Sequence, residues 1–105
     1  SEAQSFARLK RLVAEPGSAI QGYDEGLWAK NPTLGYADMP VETSIAVFKA
    51  VRAGSLEIIK RLEPEQLKNF CIHSERGEFS LEQWLKAYTR HAIEHADQIT
   101  KNLAL

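Results

Sequence analysis

A single cysteine in 105 residues, Cys71, rules out an internal disulfide and fits a reducing, cytoplasmic setting. Its neighbour Ile72 and the lack of a flanking cation give Cys71 the look of a small packing residue, not a nucleophile. Long apolar runs are missing, so no membrane span is expected, and the opening residues do not read as a secretory leader. Neither sign of charge is in excess. Thirteen Lys and Arg against fourteen Asp and Glu give a net charge of -1, which excludes nucleic acid as the main partner, because phosphate binding needs a basic face. Stretches of period-two alternation, internal repeats and low-complexity segments are also lacking, so no strand is expected.

What is present is an ordinary globular balance, 44% hydrophobic and 26% charged, enough for one domain over residues 1–105 with one core. The chain opens at Ser1 inside a helical pattern with no cap, as a fragment or a trimmed chain would. Ala3, Phe6, Leu9, Lys10 and Val13 follow helical spacing and predict a helix over residues 1–14, ended by Pro16 and Gly17. Residues 15–39 are rich in turn formers yet hold Tyr23, Leu27, Trp28 and Tyr36, and are expected to pack on the body of the domain. A second helix is predicted from Pro40 to Leu62, with Val41, Ile45, Phe48, Ser55, Ile59 and Leu62 on one face. Gly54 in its middle costs about 1 kcal/mol relative to alanine. A short helical turn follows over Pro64 to Phe70, then a loop from Cys71 to Glu78 containing Gly77 and His73.

The last helix has the clearest start. Ser80 with Gln83 makes a capping box, and Phe79 can staple onto Trp84. Leu81, Trp84, Leu85, Tyr88, Ala92, Ile99 and Leu103 form its apolar stripe. Within that stripe His95 falls among Trp84, Tyr88 and Ile99, and His91 falls at its edge. Imidazoles four apart on a helix can share a metal, and imidazole suits zinc and nickel-like ions. Two flank histidines bonded to a carbonyl or water fit the same spacing. The string His91-Ala92-Ile93-Glu94-His95 also fits a His-x-x-Glu-His peptidase pattern, but Glu94 points off the apolar face and the chain lacks such an enzyme's size. Arg52, in the centre of the second helix's stripe, is expected to form an internal ion pair with Asp24 or Glu25; an anion clamp for a substrate carboxylate is the competing role.

The run His73-Ser74-Glu75-Arg76-Gly77-Glu78-Phe79-Ser80-Leu81-Glu82-Gln83-Trp84, followed by Tyr88-Thr89-Arg90-His91 and His95-Ala96-Asp97-Gln98-Ile99, resembles the ending of DinB-superfamily proteins of the YfiT-like branch. Ser1-Glu2-Ala3, Phe6-Ala7-Arg8-Leu9, Ala14-Glu15, Gly22-Tyr23-Asp24-Glu25 and Trp28-Ala29 are similar too, so the resemblance spans nearly the whole chain. It implies an all-α, four-helix bundle that holds a divalent metal, zinc or nickel, through three histidines. Two of these would be His91 and His95. The third stands in the family just upstream of an Asp-Ser-Glu-like stretch, represented here by Ser1-Glu2 alone. The resemblance thus implies an incomplete bundle, of about three main helices and a short one, without the first helix and the third histidine. Glu2, on the stripe of Phe6, Leu9 and Val13, is the candidate substitute ligand, against a solvent-facing or capping role.

The implied activity is that of a metal-dependent hydrolase or a transferase using a low-molecular-weight thiol, acting on a small molecule. The competing expectation is a helical module without catalysis, its metal site vestigial, whose exposed apolar faces drive formation of a homodimer.

Overall fold

Helix α1, Glu2–Ala14, turns Leu9 and Leu12 inward, and both are fully buried. It stops where Pro16 removes an N–H and Gly17 takes a positive φ of 87°. The computed structural model describes residues 2–90. Beyond α1 come a two-residue strand β1 (Ala19–Ile20), a short helix α2 (Glu25–Lys30) and a long helix α3 (Val41–Ile59). A 3-10 turn at Pro64–Lys68 leads into strands β2 (Phe70–His73) and β3 (Gly77–Ser80). Residues 81–90, called α4 below, are helical.

The chain is mostly helical, as expected, but the all-α expectation needs correction. The residues read as a loop from Cys71 to Glu78 form a β-hairpin, and β1 adds to it in parallel, in the order β1-β2-β3. In β2, Cys71 and His73 point inward while Phe70 and Ile72 point out. Apolar residues on both faces of so short a strand erase the alternation that would have announced it. Gly77, at φ 73°, supplies the left-handed residue that lets the chain turn back. His73 is therefore a buried strand residue and not part of a surface loop. Its Nδ1 accepts hydrogen bonds from the backbone N–H of Glu75 (3.0 Å) and Arg76 (3.3 Å), closing the hairpin turn.

The core gathers Leu9, Leu12, Ile20, Cys71, Phe79, Leu81, Trp84 and Tyr88, drawn from α1, the sheet and α4. Cys71 packs there at full burial, as its sequence context suggests. The Ser80–Gln83 box forms as expected, with the Gln83 N–H donating to Ser80 Oγ (3.1 Å) and the Ser80 N–H donating to Gln83 Oε1 (2.9 Å). Residues 15–39 meet the expectation only in their first part, where residues 17–22 bond to β2 and the turn after it. Only Ile20 enters the core; Tyr23 and Trp28 meet with ring centres 4.4 Å apart and planes tilted by 42°, and Leu27, Leu34 and Tyr36 stay exposed. Six residues of α2 give too little apolar surface to hold the segment down, and none of them is buried.

Helix α3 packs on α1 through its one glycine. A Cβ placed on Gly54 would stand 2.8 Å from Phe6 Cζ, so the residue that weakens the isolated helix allows the two helices to approach. Its neighbour Ser55 is fully buried. The N-terminal part of the predicted α3 stripe behaves otherwise: Val41, Ile45 and Phe48 are exposed.

Gly54→Ala is expected to lower stability by about 1–3 kcal/mol despite its better helix propensity, because the new methyl meets an aromatic ring in a packed seam. Adding Phe6→Leu should recover part of the loss in thermal melts. A second expectation concerns His73. Burial, then the charges of Arg8 and Arg76, hold its pKa below the usual 6.5. The unfolded chain takes up this proton near pH 6.5 and the folded chain only at lower pH, so its contribution to stability is full above that value and lost as the pH falls. Denaturant titrations between about pH 7 and about pH 5 should show a flatter decline in His73→Gln than in the parent.

Candidate functional site

Of the residues singled out for metal binding, His91 and His95 lie outside the described residues, as does Glu94. The structure does describe Glu2 and the part of α4 that leads up to His91. Leu81, Trp84 and Tyr88 recur at helical spacing and bury their side chains, so α4 lies with Trp84 and Tyr88 against the first turns of α1. Trp84 Nε1 donates to the Ser5 carbonyl oxygen (3.0 Å), and the Trp84 ring stacks on Tyr88 at 4.8 Å and 11°. The Tyr88 hydroxyl then reaches Glu2, donating to Oε1 at 2.5 Å.

Arg52, from the middle of α3, completes the cluster. Its Nη1 stands 3.9 Å from Glu2 Oε2, and its guanidinium lies 5.1 Å from the Tyr88 ring centre and 5.5 Å from that of Phe48. The expected internal ion pair exists, but the expected partner is wrong. Asp24 is engaged elsewhere, accepting the Leu27 N–H (3.0 Å) as the N-cap of α2. Glu25 stands beside Tyr23, where it helps to raise the phenol's pKa, an effect led by burial. Nothing in the sequence distinguishes one acidic residue from another as a partner for Arg52; the choice falls to Glu2 because α1 and α3 pack side by side.

The cluster has a definite electrostatic character. Burial first, and then the bond to Glu2 and its charge, push the Tyr88 pKa up to about 12. Arg52 and Ser55 oppose this weakly. Ser55 Oγ is buried close to the phenol without closing a well-formed hydrogen bond. Tyr88 thus stays a neutral O–H donor across the physiological range, next to a cation held between two aromatic rings. The phenol's one proton is already given to Glu2, so an anionic group there would be met by the spare N–H donors of Arg52.

As to a metal, no three His, Cys, Asp or Glu among the described residues are grouped to hold one. Glu2, the described candidate ligand, has one oxygen bonded to Tyr88 and the other facing Arg52, an inter-helix tie in place of the solvent or capping role weighed against ligation. The described residues alone do not make a metal site, and no chemical step is derived through one.

The Arg52–Glu2 pair is loose and partly wet, with side chains 29% and 18% exposed. Arg52→Ala is therefore expected to cost about 1–2 kcal/mol, between the values for an exposed and a buried pair. Arg52→Met, which keeps the packing stem, should lose less. Paired thermal melts check the ordering.

Comparison with known proteins supplies the wider frame. A family model described as the DinB superfamily matches residues 3–99. Curated relatives from Bacillus mycoides (strain KBAB4), Bacillus cereus (strain 03BB102) and Bacillus thuringiensis subsp. konkukian (strain 97-27) are each 28% identical over 100 residues, covering 95% of this chain and 56% of the relative. Each bears the name "Putative metal-dependent hydrolase". The chain thus spans little more than half the length of the curated relatives it matches. No solved structure matches it significantly. With the family match running from α1 through α4 and beyond, the chain belongs to the DinB superfamily.

Proposed function

We propose that the chain carries the metal-binding end of a divalent-metal-dependent enzyme of the DinB type, with His91 and His95 as two of the ligands. The observation that carries this reading is the family match over residues 3–99, a range that includes positions 91 and 95. The names of the relatives support a metal-dependent activity in general. A zinc or nickel ion there would supply Lewis acidity, generating a nucleophile from water or from a low-molecular-weight thiol near neutral pH. The reaction is accordingly hydrolysis or thiol-dependent transfer on a small molecule in the cytoplasm. Arg52, beside Tyr88 and with N–H donors to spare after its contact with Glu2, orients an anionic substrate group.

A second reading rests on α3. Val41, Ile45, Phe48 and Leu56 are exposed on one side of it, more apolar surface than a solitary helix needs to show. In this reading the chain is a non-catalytic module that pairs with a second copy across this face, most simply with two-fold symmetry.

Ligand number separates the two. Zinc sites use at least three protein ligands, and His91 with His95 makes two. Calorimetric titration of zinc and nickel should show weak binding or none in this chain, and tight binding in a version extended to the length of its relatives. Affinity should fall as the imidazoles protonate at lower pH, and His91→Ala and His95→Ala should abolish it. If the extended protein ignores metal, or the alanine variants bind as well as the parent, the metal reading fails. Light scattering that then shows a dimer establishes the module.

A further inference from the structure

The first and second turns of α1 present a different face to the sheet. At about 100° per residue, Gln4, Ala7, Arg8 and Arg11 lie on the side of α1 roughly opposite Glu2, Phe6, Leu9 and Val13. Between this side and β1 is an open pocket of about 250 Å³, lined by Gln4, Ala7, Arg8, Arg11, Ala19, Ile20 and Gln21, of which Ala7, Arg11, Ala19 and Gln21 are exposed to solvent. Two guanidinium groups and two carboxamides line it, and no carboxylate does.

Arg8 is the unusual member. Its Nε is buried and has no hydrogen-bond partner, and no carboxylate stands within ion-pairing distance of it among the described residues. A buried donor on a charged group is costly to leave unsatisfied, and proteins rarely do so without a ligand, ion or water to meet it. Arg11 lines the same pocket, its side chain half exposed and within a long 3.8 Å contact of Glu15. The remaining wall, Ala7, Ala19 and Ile20, is apolar.

We infer that this pocket is a binding site for a small organic oxyanion, whose charged end meets Arg8 and Arg11 and whose short carbon part lies against Ala7, Ala19 and Ile20. A guanidinium fork suits phosphate and carboxylate oxygens alike, and the glutamines add neutral donors at either side. The volume is below the usual range for drug-sized ligands, so the guest is a compact metabolite and not a nucleotide. The site stands on the far side of α1 from Tyr88 and Arg52, so it does not depend on the metal-dependent reading and can exist with or without it.

The test is calorimetric titration of this chain with inorganic phosphate, glycerol phosphate and succinate, repeated with Arg8→Gln, Arg11→Gln and His91→Ala. Saturable binding of an organic anion is expected, tighter than that of bare phosphate, and the preferred headgroup tells a phosphate ester from a carboxylate. Arg8→Gln should weaken it about tenfold or more, the loss of a charge-assisted bond, and Arg11→Gln by less. His91→Ala should leave it unchanged. Backbone amide shifts on titration should centre on residues 19–21. If none of the three anions saturates, if the arginine variants bind as well as the parent, or if His91→Ala abolishes binding, the inference is wrong. Should Arg8→Gln fail to fold, Arg11→Gln, whose side chain is half exposed, carries the decision alone.

Discussion

The stacked pair Trp84–Tyr88 is the contact on which the described structure turns. Each ring is anchored by its polar edge to α1, the indole N–H on the Ser5 carbonyl and the phenol on Glu2. Large aromatic side chains supply apolar area, and their single donors fix where that area docks. With α4 seated in this way, Leu9 and Leu12 are closed over by Leu81 and Phe79, and the sheet is drawn in behind through Cys71. Asn69 ties the same helix from the other end, its Nδ2 donating to the Leu12 carbonyl at 3.1 Å. Helix α1 is thus held by side-chain bonds near both ends, and every neighbouring element is placed relative to it.

That central position divides α1 into two faces with different chemistry. One face meets α3 across the Gly54–Phe6 approach and carries Glu2 into contact with Tyr88 and Arg52. Glu2 is shared between a neutral donor and a cation, so the three groups satisfy one another, and Arg52 still keeps donors to spare. The other face carries Arg8 beneath the sheet, close enough to depress the His73 pKa. The hairpin depends on a neutral His73 accepting two backbone bonds, and a cation nearby favours that state. The charge on Arg8 therefore serves the fold as well as the pocket.

The Tyr88–Arg52–Glu2 cluster was legible in part, whereas His91 and His95, conspicuous as imidazoles four apart beside an apolar stripe, lie outside the described residues. Arg52 stood out as a cation in an apolar stripe, and an internal partner could be expected on desolvation grounds alone. Glu2 was noticed for its place on the stripe of α1, but its attachment to Tyr88 was not, since 86 residues separate them and no local pattern encodes so distant a bond. Arg8 gave no signal. A helical arginine four residues from a glutamine looks like any solvated face until the fold buries its Nε and leaves the rest of the residue partly exposed.

The sequence by itself determined helices α1 and α3 and the start of α4, although it carried α3 on to Leu62 where the helix stops at Ile59 and did not show α2. Helical periodicity, Pro16 and Gly17 after α1, Pro40 before α3 and the Ser80–Gln83 box before α4 are local, and local hydrogen bonding enforces them whatever the rest of the chain does. Tertiary structure alone decided the sheet. β1 and β2 are 53 positions apart from Ala19 to Ile72, and two- and four-residue strands have no stability until a partner supplies the other half of each hydrogen bond. It also decided which side of each helix met a neighbour: the gap at Gly54 admits Phe6, whereas Val41 and Ile45, equally apolar, remain exposed. Burial is a property of what lies opposite a residue, and a one-dimensional pattern records only the residue.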